Sequence, residues 1–154
     1  PPKGRRRESL DGIKRANEII VSKTNYVDEK TVQEIKGKLE KYNKPISLAV
    51  HKEDYFYNQN SEKFPLDSVK GKNVLLFSSI ANPENFKKSI FKLEPESIKE
   101  IKFSDHHIYS DTEIEEISRE AGEYDFVITT EKDIVKIKEK IENMLVLKIS
   151  FNIV

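Results

Sequence analysis

Apolar residues along this chain follow two alternating spacings, and together they predict strands separated by helices. Compact apolar runs typical of buried strands lie in residues 18–22, 46–50, 73–77, 124–128 and 144–149. Residues 97–103 instead alternate apolar and polar positions, which predicts a half-exposed strand. Between the strands, apolar residues at steps of three and four predict helices that begin near Asp28, Pro83, Asp111 and Thr130, after a short first helix over residues 8–16.

Polar residues mark the expected helix starts. Asn82 precedes Pro83, which predicts an N-cap followed by proline at the first helical position. Asp111 is expected to cap the next helix, and the Thr130 hydroxyl to cap a helix whose apolar stripe extends to Ile141.

Repeated alternation of strand and helix predicts an α/β fold, built on a mostly parallel sheet with helices on both faces. The length fits a single α/β domain, residues 1–154. Residues 53–72 interrupt the alternation and are long for a structureless connection, so we expect a strand pair, a packed excursion or a hinge there. Residues 150–154 are expected to form an apolar tail. Ligands of such folds bind at the carboxyl ends of the strands.

Composition narrows the range of partners. The chain has 27 basic and 27 acidic side chains, so no global field favours nucleic acid, which we do not expect as a partner. The lack of cysteine excludes disulfides and thiolate zinc sites, and no apolar run approaches the roughly 20 residues of a membrane span. Since the chain starts at Pro1 without a methionine, we expect a removed segment or a fragment of a longer protein.

The segment Asp105-His106-His107 is where an acid and two imidazoles adjoin, directly after the half-exposed strand. It has three interpretations. The segment is a structural loop, or a metal site of the Asp-His-His phosphoesterase type, or the place of a general base oriented by a carboxylate. A two-metal site requires further aspartates such as an Asp-x-Asp, and none occurs in the sequence.

Other candidate sites also have structural alternatives. The turn at Thr130-Glu131-Lys132-Asp133 is a helix cap that would also suit an anionic group. Arg5, Arg6 and Arg7 suit phosphate or anionic lipid, or are simply solvated. A phosphate loop is not expected, because neither Gly-Lys pair is followed by Ser or Thr and no Gly-x-Gly-x-x-Gly occurs.

Four segments, in order along the chain, resemble motifs of the tetraacyldisaccharide 4'-kinases of lipid A biosynthesis. Residues 2–17 resemble that family's Pro-Ala-Gly-x-x-Arg-Glu-Pro…Arg-Ala-Asp, and residues 76–86 its Phe-x-Gly-Ile-Ala-x-Pro-x-x-Phe. Residues 103–107 resemble Phe-Pro-Asp-His-His, and residues 127–136 resemble Val-Thr-Thr-Glu-Lys-Asp-Ala-Val-Lys. The resemblance covers the C-terminal half of the family. The family's Walker A sequence, Mg²⁺-binding acids and membrane-associating helix belong to an N-terminal half, which we expect as a missing P-loop domain and partner.

The resemblance implies transfer of the ATP γ-phosphate to the 4'-hydroxyl of a tetraacylated glucosamine disaccharide, the lipid A precursor. His106 matches the histidine that helps to deprotonate the hydroxyl, and Asp105 would position its loop. Arg7 and Glu8 would lie on the phosphate side. The cofactor-binding residues would be Thr130, Lys132 and Asp133.

The same resemblance implies that ATP and Mg²⁺ both require the missing half, so the isolated chain should be inactive. It places the full-length protein at the cytoplasmic face of the inner membrane of a Gram-negative bacterium, against the membrane surface. Three serines depart from the family: Ser9 and Ser104 replace prolines, and Ser79 replaces glycine. These departures leave open a divergent homologue with altered substrate or reduced activity. Two alternatives of other classes also remain, a stand-alone non-catalytic α/β binding module and a metal-dependent phosphoesterase.

Overall fold

A computed structural model describes residues 8–154, and its backbone follows the predicted alternation. The regular elements are β1 (Ile19–Val21), α1 (Glu29–Glu40), β2 (Ile46–Tyr57), β3 (Lys63–Phe64), β4 (Asn73–Ser78), α2 (Pro83–Phe91), β5 (Ser97–Lys102), α3 (Asp111–Ala121), β6 (Phe126–Thr130), α4 (Glu131–Ile134) and β7 (Met144–Ile153). Short 3₁₀ helices cover Leu10–Arg15, Thr24–Tyr26 and Leu66–Val69. No helix in residues 8–154 combines the length and apolar character needed to cross a membrane.

The chain divides into two compact units. The smaller unit comprises the described residues up to Lys52 together with Ser150–Val154, and the larger comprises Glu53–Ile149. Strands β2 and β7 each contribute residues to both units. The single α/β domain expected over residues 1–154 stays a prediction.

The larger unit is built on a mostly parallel sheet, as predicted. β4 pairs in parallel with β5 on one side and with β6 on the other, and β6 pairs in parallel with β7. The strand order is β2-β7-β6-β4-β5, with the short β3 antiparallel to β2. Because parallel neighbours need crossover connections, α2 joins β4 to β5 and α3 joins β5 to β6.

Helices cover both faces of this sheet, which confirms the predicted α/β class. Successive residues of a strand face opposite sides, so Leu75 and Leu76 belong to different apolar clusters. One cluster includes Leu75 with the buried face of α3, namely Ile114, Ile117 and Ala121. The other includes Leu76 with the buried face of α2, namely Phe86 and Ile90.

The smaller unit contains β1 and the first part of β2, which are parallel and joined through α1. The prediction that β1 is a buried strand is wrong. Ile20 is 46% exposed, and its neighbours on β1 are only half-buried. The reason is that β1 is an edge strand, which pairs with β2 on one side and with no strand of residues 8–154 on the other.

Residues 53–72 contain the expected strand pair. β2 continues through Tyr57, and β3 returns antiparallel so that Phe56 faces Phe64 across the pair. The hinge interpretation of this segment stays a prediction. The prediction that the last strand ends at residue 149 and an apolar tail follows is wrong, because β7 continues to Ile153 and only Val154 lies beyond it.

Two helix boundaries differ from expectation. Ser110, not Asp111, is the N-cap of α3, because its side chain accepts the Glu113 N–H while the Glu113 carboxylate accepts the Ser110 N–H. The helix predicted from Thr130 to Ile141 is only one turn long. After α4, the N–H groups of Lys136 and Ile137 donate to carbonyls three residues back, and these tighter turns end the helix.

Candidate functional site

The candidate site lies at the carboxyl edge of the larger unit, the edge formed by the C-terminal ends of β4, β5 and β6. Because these strands are parallel, the residues that follow them emerge side by side. Ser79 follows β4 and the histidine loop, residues 103–110, follows β5, while Thr130 is the last residue of β6. The structure therefore brings the histidine loop and the Thr130–Asp133 turn to one edge.

His106 is the exposed member of the histidine pair. Its side chain is 91% exposed, and its Nε2 lies 3.8 Å from an Asp105 carboxylate oxygen. That distance is too long for a hydrogen bond. The His106 backbone has a left-handed φ of 62°, and its N–H donates to the Ser79 carbonyl at 3.0 Å. The loop is thus attached through the backbone of His106, and the imidazole is left facing solvent.

His107 is instead held on several sides. Its Nε2 lies 3.0 Å from both carboxylate oxygens of Glu113. Its ring stacks on Phe103 with centroids 5.0 Å apart and meets Tyr109 edge-on at 5.5 Å. These contacts make His107 an anchor for the histidine loop.

Glu113 is a partner that sequence reasoning missed. It accepts hydrogen bonds from the Ser110 backbone and from His107, and these bonds lower the pKa of its carboxyl to about 2. The spacing of Ser110 and Glu113 is that of a capping box and could have predicted their contact. The predicted cap was instead Asp111.

A second polar group, the Asp133 cluster, consists of Ser79, Thr130, Asp133 and Lys136. The Asp133 side chain is fully buried and accepts bonds from the Ser79 hydroxyl at 2.5 Å and the Ser79 N–H at 3.1 Å. The Thr130 hydroxyl donates to it at 2.7 Å, and the Lys136 ammonium at 3.0 Å. The Lys136 ammonium also donates to the Ser79 hydroxyl at 2.5 Å. Neither Ser79 nor Lys136 was predicted as a site residue.

The charge of Asp133 is stabilised in place. Burial raises the pKa of Asp133, but hydrogen bonds from Ser79, Thr130 and Lys136 outweigh burial and hold the pKa below its usual value. Tyr109 packs beside the cluster, with the Lys136 ammonium 5.7 Å from its ring centroid. Burial is the main cause that raises the pKa of the Tyr109 hydroxyl; the neighbouring Ser79 hydroxyl opposes this rise, and the Asp133 charge adds to it.

The remaining predicted residues occupy different environments. Thr130 caps α4, as expected, since its hydroxyl accepts the Asp133 N–H at 3.3 Å. Lys132 is exposed on the first turn of α4. Glu8 belongs to the smaller unit and pairs with Arg15 at 2.9 Å on an exposed surface. Arg7, like Arg5 and Arg6, lies outside the described residues. The roles assigned to all of them stay predictions.

One cavity lies away from these residues. It measures about 760 Å³ and lies at the opposite, amino-terminal edge, where its lining includes Gln59, Tyr124, Lys140 and Asn143. A smaller cavity of about 230 Å³ adjoins the candidate site at Glu131, and its lining includes Tyr55, Tyr57, Lys63 and Lys148. Ligand sites of parallel sheets belong to the carboxyl edge, so the large cavity is not assigned to the site.

The described residues do not fit a metal centre. Within residues 8–154, no group of three or more His, Asp or Glu side chains is placed to hold an ion. Mg²⁺ prefers several oxygen ligands, and the buried Asp133 already accepts its hydrogen bonds from protein donors. Mg²⁺ is therefore assigned to no residue of this part of the chain.

Comparison with known proteins extends the sequence resemblance to nearly the whole chain. The family model described as Tetraacyldisaccharide-1-P 4'-kinase matches residues 1–153. A tetraacyldisaccharide 4'-kinase of Elusimicrobium minutum is 35% identical over 147 residues, which cover 94% of this chain and 39% of that protein. Its counterpart in Bdellovibrio bacteriovorus is 29% identical over 148 residues, which cover 95% of this chain and 44% of that protein.

A solved structure shows the same fold. The crystal structure of "apo" form LpxK from Aquifex aeolicus in complex with ATP has a TM-score of 0.61 and 22% sequence identity, and the likeness covers 99% of this chain and 43% of that one. The chain spans about two fifths of the length of the curated relatives that it matches. With the family model matched across residues 1–153, the chain belongs to the tetraacyldisaccharide 4'-kinase family.

Proposed function

We propose that this chain forms the C-terminal part of a tetraacyldisaccharide 4'-kinase, which transfers the γ-phosphate of ATP to the 4'-hydroxyl of the tetraacyl glucosamine disaccharide precursor of lipid A. The observation that carries the proposal is the match of the kinase family model to residues 1–153. The geometry supports it, because the histidine loop and the Thr130–Asp133 turn share the carboxyl edge, where parallel sheets bind ligands.

His106 is proposed as the general base. In the transfer, the 4'-oxygen attacks the γ-phosphorus, the bond to the bridging oxygen breaks, and ADP leaves. The hydroxyl proton passes to an imidazole nitrogen of His106, whose 91% exposure leaves the ring accessible to a substrate. Asp105, 3.8 Å away, is proposed to orient the protonated ring by charge. The rest of the acceleration comes from positioning and from neutralising phosphate charge.

ATP is proposed to bind mainly through the part of the kinase that this chain does not span, and Mg²⁺ would be held there. The structural relative with a bound ATP supports nucleotide binding by the whole protein. From this chain, the exposed Lys132 would meet the nucleotide edge, with Thr130 and Asp133 forming the turn that carries it. Arg7 and Glu8 are proposed to lie on the phosphate side.

The proposed partners follow from the substrate. A tetraacylated disaccharide resides in a membrane, so the full-length kinase is proposed to act against the membrane surface, at the cytoplasmic face of the inner membrane of a Gram-negative bacterium. Nucleic acid is not proposed as a partner, since the chain has equal numbers of basic and acidic side chains.

The test is a transfer assay with radiolabelled γ-phosphate of ATP and the tetraacyl disaccharide 1-phosphate, with Mg²⁺ present. The full-length protein should label the disaccharide at the 4' position, and the 154-residue chain alone should not. Because phosphoryl transfer depends on a phosphate loop and a metal ion, the expected loss in the chain alone is complete. A full-length protein that transfers no phosphate would contradict the proposal, and so would turnover by the chain alone.

A further inference from the structure

We infer that Asp133 and Ser79 are positioning residues for His106, and that Asp133 acts on the reaction through the histidine loop rather than by contact with nucleotide. The inference rests on the proposed function, since it assigns to these residues the placement of the proposed base. It also explains why a fully buried carboxylate stands at the carboxyl edge of the sheet.

Ser79 joins the two segments through three groups of one residue. Its N–H and its hydroxyl both donate to the carboxylate of Asp133, at 3.1 and 2.5 Å. Its carbonyl accepts the N–H of His106 at 3.0 Å. Ser79 therefore connects the buried carboxylate of Asp133 to the backbone of His106 through hydrogen bonds of a single residue.

His106 needs such support because of its backbone. A φ of 62° lies in the left-handed region, which non-glycine residues adopt rarely. A residue keeps such a conformation only when contacts with the surrounding structure hold it there. Besides the bond to Ser79, the loop has a turn bond from the His107 N–H to the Ser104 carbonyl at 3.1 Å.

Asp133 is suited to anchor and unsuited to bind a ligand. None of its surface is exposed, so no nucleotide atom reaches it without rearrangement. Its carboxylate is matched by the Lys136 ammonium, whose side chain is 25% exposed, and by two hydroxyl groups. A buried charge with these partners resists displacement, because removing any one of them leaves polar groups unpaired.

The two anchors of the histidine loop use different side-chain partners and meet at Tyr109, whose ring contacts His107 and lies beside the Lys136 ammonium. His107 is held by Glu113 and aromatic rings, while His106 is held by Ser79 and the Asp133 cluster. Within the described residues, Asp133 and Ser79 make no hydrogen bond or ion pair with Glu113, so substitutions at these two residues act first on the anchor of His106.

The experiment is a double-mutant cycle on kcat in the full-length protein that contains this chain. Asp133→Asn should lower kcat about tenfold, as expected for the loss of one charge-assisted hydrogen bond, and leave the KM for ATP within about twofold. In the His106→Ala background, the same substitution should change kcat by less than about twofold, because a residue that acts through another has nothing left to position. Hydrogen exchange of a peptide over residues 103–108 should become faster in Asp133→Asn.

Ser79→Ala provides the second variant if Asp133→Asn fails to fold, and it should show the same coupling to His106→Ala. The matched control is Ser89→Ala, which also removes a buried serine hydroxyl bonded to a carboxylate, that of Glu53, but has no contact with the histidine loop. The control should leave both kcat and the exchange of residues 103–108 unchanged.

The outcomes separate the inference from the proposed function. If His106→Ala abolishes turnover but Asp133→Asn and Ser79→Ala keep the wild-type kcat, the inference is overturned and the proposed function stands. Additive effects in the cycle also overturn it, as does a raised KM for ATP with kcat unchanged, which would indicate nucleotide contact. If His106→Ala itself keeps the wild-type kcat, the base assignment and the inference fail together, while the observed phosphate transfer leaves the kinase function standing.

Discussion

Two neighbouring imidazoles have opposite environments at the carboxyl edge. The His106 side chain is 91% exposed, whereas that of His107 is 28% exposed and bonded to Glu113. The difference arises from the backbone, because the left-handed conformation at His106 turns consecutive side chains in different directions. The sequence pattern predicts that an acid and two histidines lie together, but a backbone angle of this kind has no signal in a run of Asp, His and His.

The hydrogen bonds between Ser79 and Asp133 were not predicted, because the two residues are far apart in the sequence. Ser79 and Asp133 are 54 positions apart, and only the parallel pairing of β4 with β6 brings them together. In the sequence, Ser79 is notable only as a serine at a position where the family pattern has glycine. Its hydrogen bonds become predictable once strand order is known, and strand order is not encoded in the spacing of apolar residues.

The pKa of Glu113 predicts a stability effect with a defined pH range. A carboxyl whose folded pKa is about 2, below its usual 4.5, stabilises the fold above pH 4.5, and this contribution is lost as pH falls towards 2. Glu113→Gln should therefore lower the urea midpoint of the chain at pH 6, and the difference from wild type should shrink steadily between pH 4.5 and pH 2.

The control for this measurement is Glu116→Gln, a change of the same kind at an exposed position of α3. Its difference from wild type should stay small at every pH. A Glu113→Gln difference that is constant from pH 6 to pH 2 would show that the carboxyl is not held in its charged form by Ser110 and His107.

At the scale of elements, the apolar pattern located most strands and helices because it reflects burial directly. β4 and the buried faces of α2 and α3 lie where the pattern places them. The errors fall at ends and edges, where local hydrogen bonds compete. Ser110 displaced Asp111 as a cap, α4 ended after one turn, and β1 is half-buried because it is an edge strand.

The packing of α2 on the sheet predicts that alanine substitutions at two adjacent residues, Ile90 and Phe91, have different effects on stability. Ile90 is fully buried between α2 and the sheet, whereas its neighbour Phe91 is 71% exposed. Ile90→Ala should lower the free energy of unfolding by about 2–5 kcal/mol, the cost of a cavity in a packed core. Phe91→Ala should change it by no more than about 0.5 kcal/mol, as is usual at the surface.

Urea unfolding followed by circular dichroism measures both variants. Equal losses of stability would show that α2 does not bury Ile90 in the way described, and a larger loss in Phe91→Ala would reverse the assignment of its two faces.

At the scale of the whole molecule, fold class and family were both accessible from the sequence, for different reasons. The α/β class follows from alternating periodicities, and the sheet with helices on both faces confirms it. The family follows from four motifs in order, and the family model extends over residues 1–153. The division into two compact units was not predicted. The apolar pattern placed strands at residues 46–50 and 144–149, whereas β2 and β7 extend to Tyr57 and Ile153 and contribute residues to both units.

The chain spans about two fifths of its relatives' length, so its chemistry has to be tested in the longer protein. Lys132, Asp105 and His106 all belong to the larger unit. The proposed role of His106 is therefore tested by changing one side chain of the larger unit and measuring turnover of the full-length protein.

That measurement is the kcat of the full-length His106→Ala variant for transfer of the ATP γ-phosphate to the tetraacyl disaccharide, with His51→Ala, the histidine of the smaller unit, as control. Loss of a general base should lower kcat by about 10²–10⁴-fold with little change in the KM for ATP. His51→Ala should retain kcat near that of wild type. A His106→Ala variant with the wild-type kcat would contradict the account.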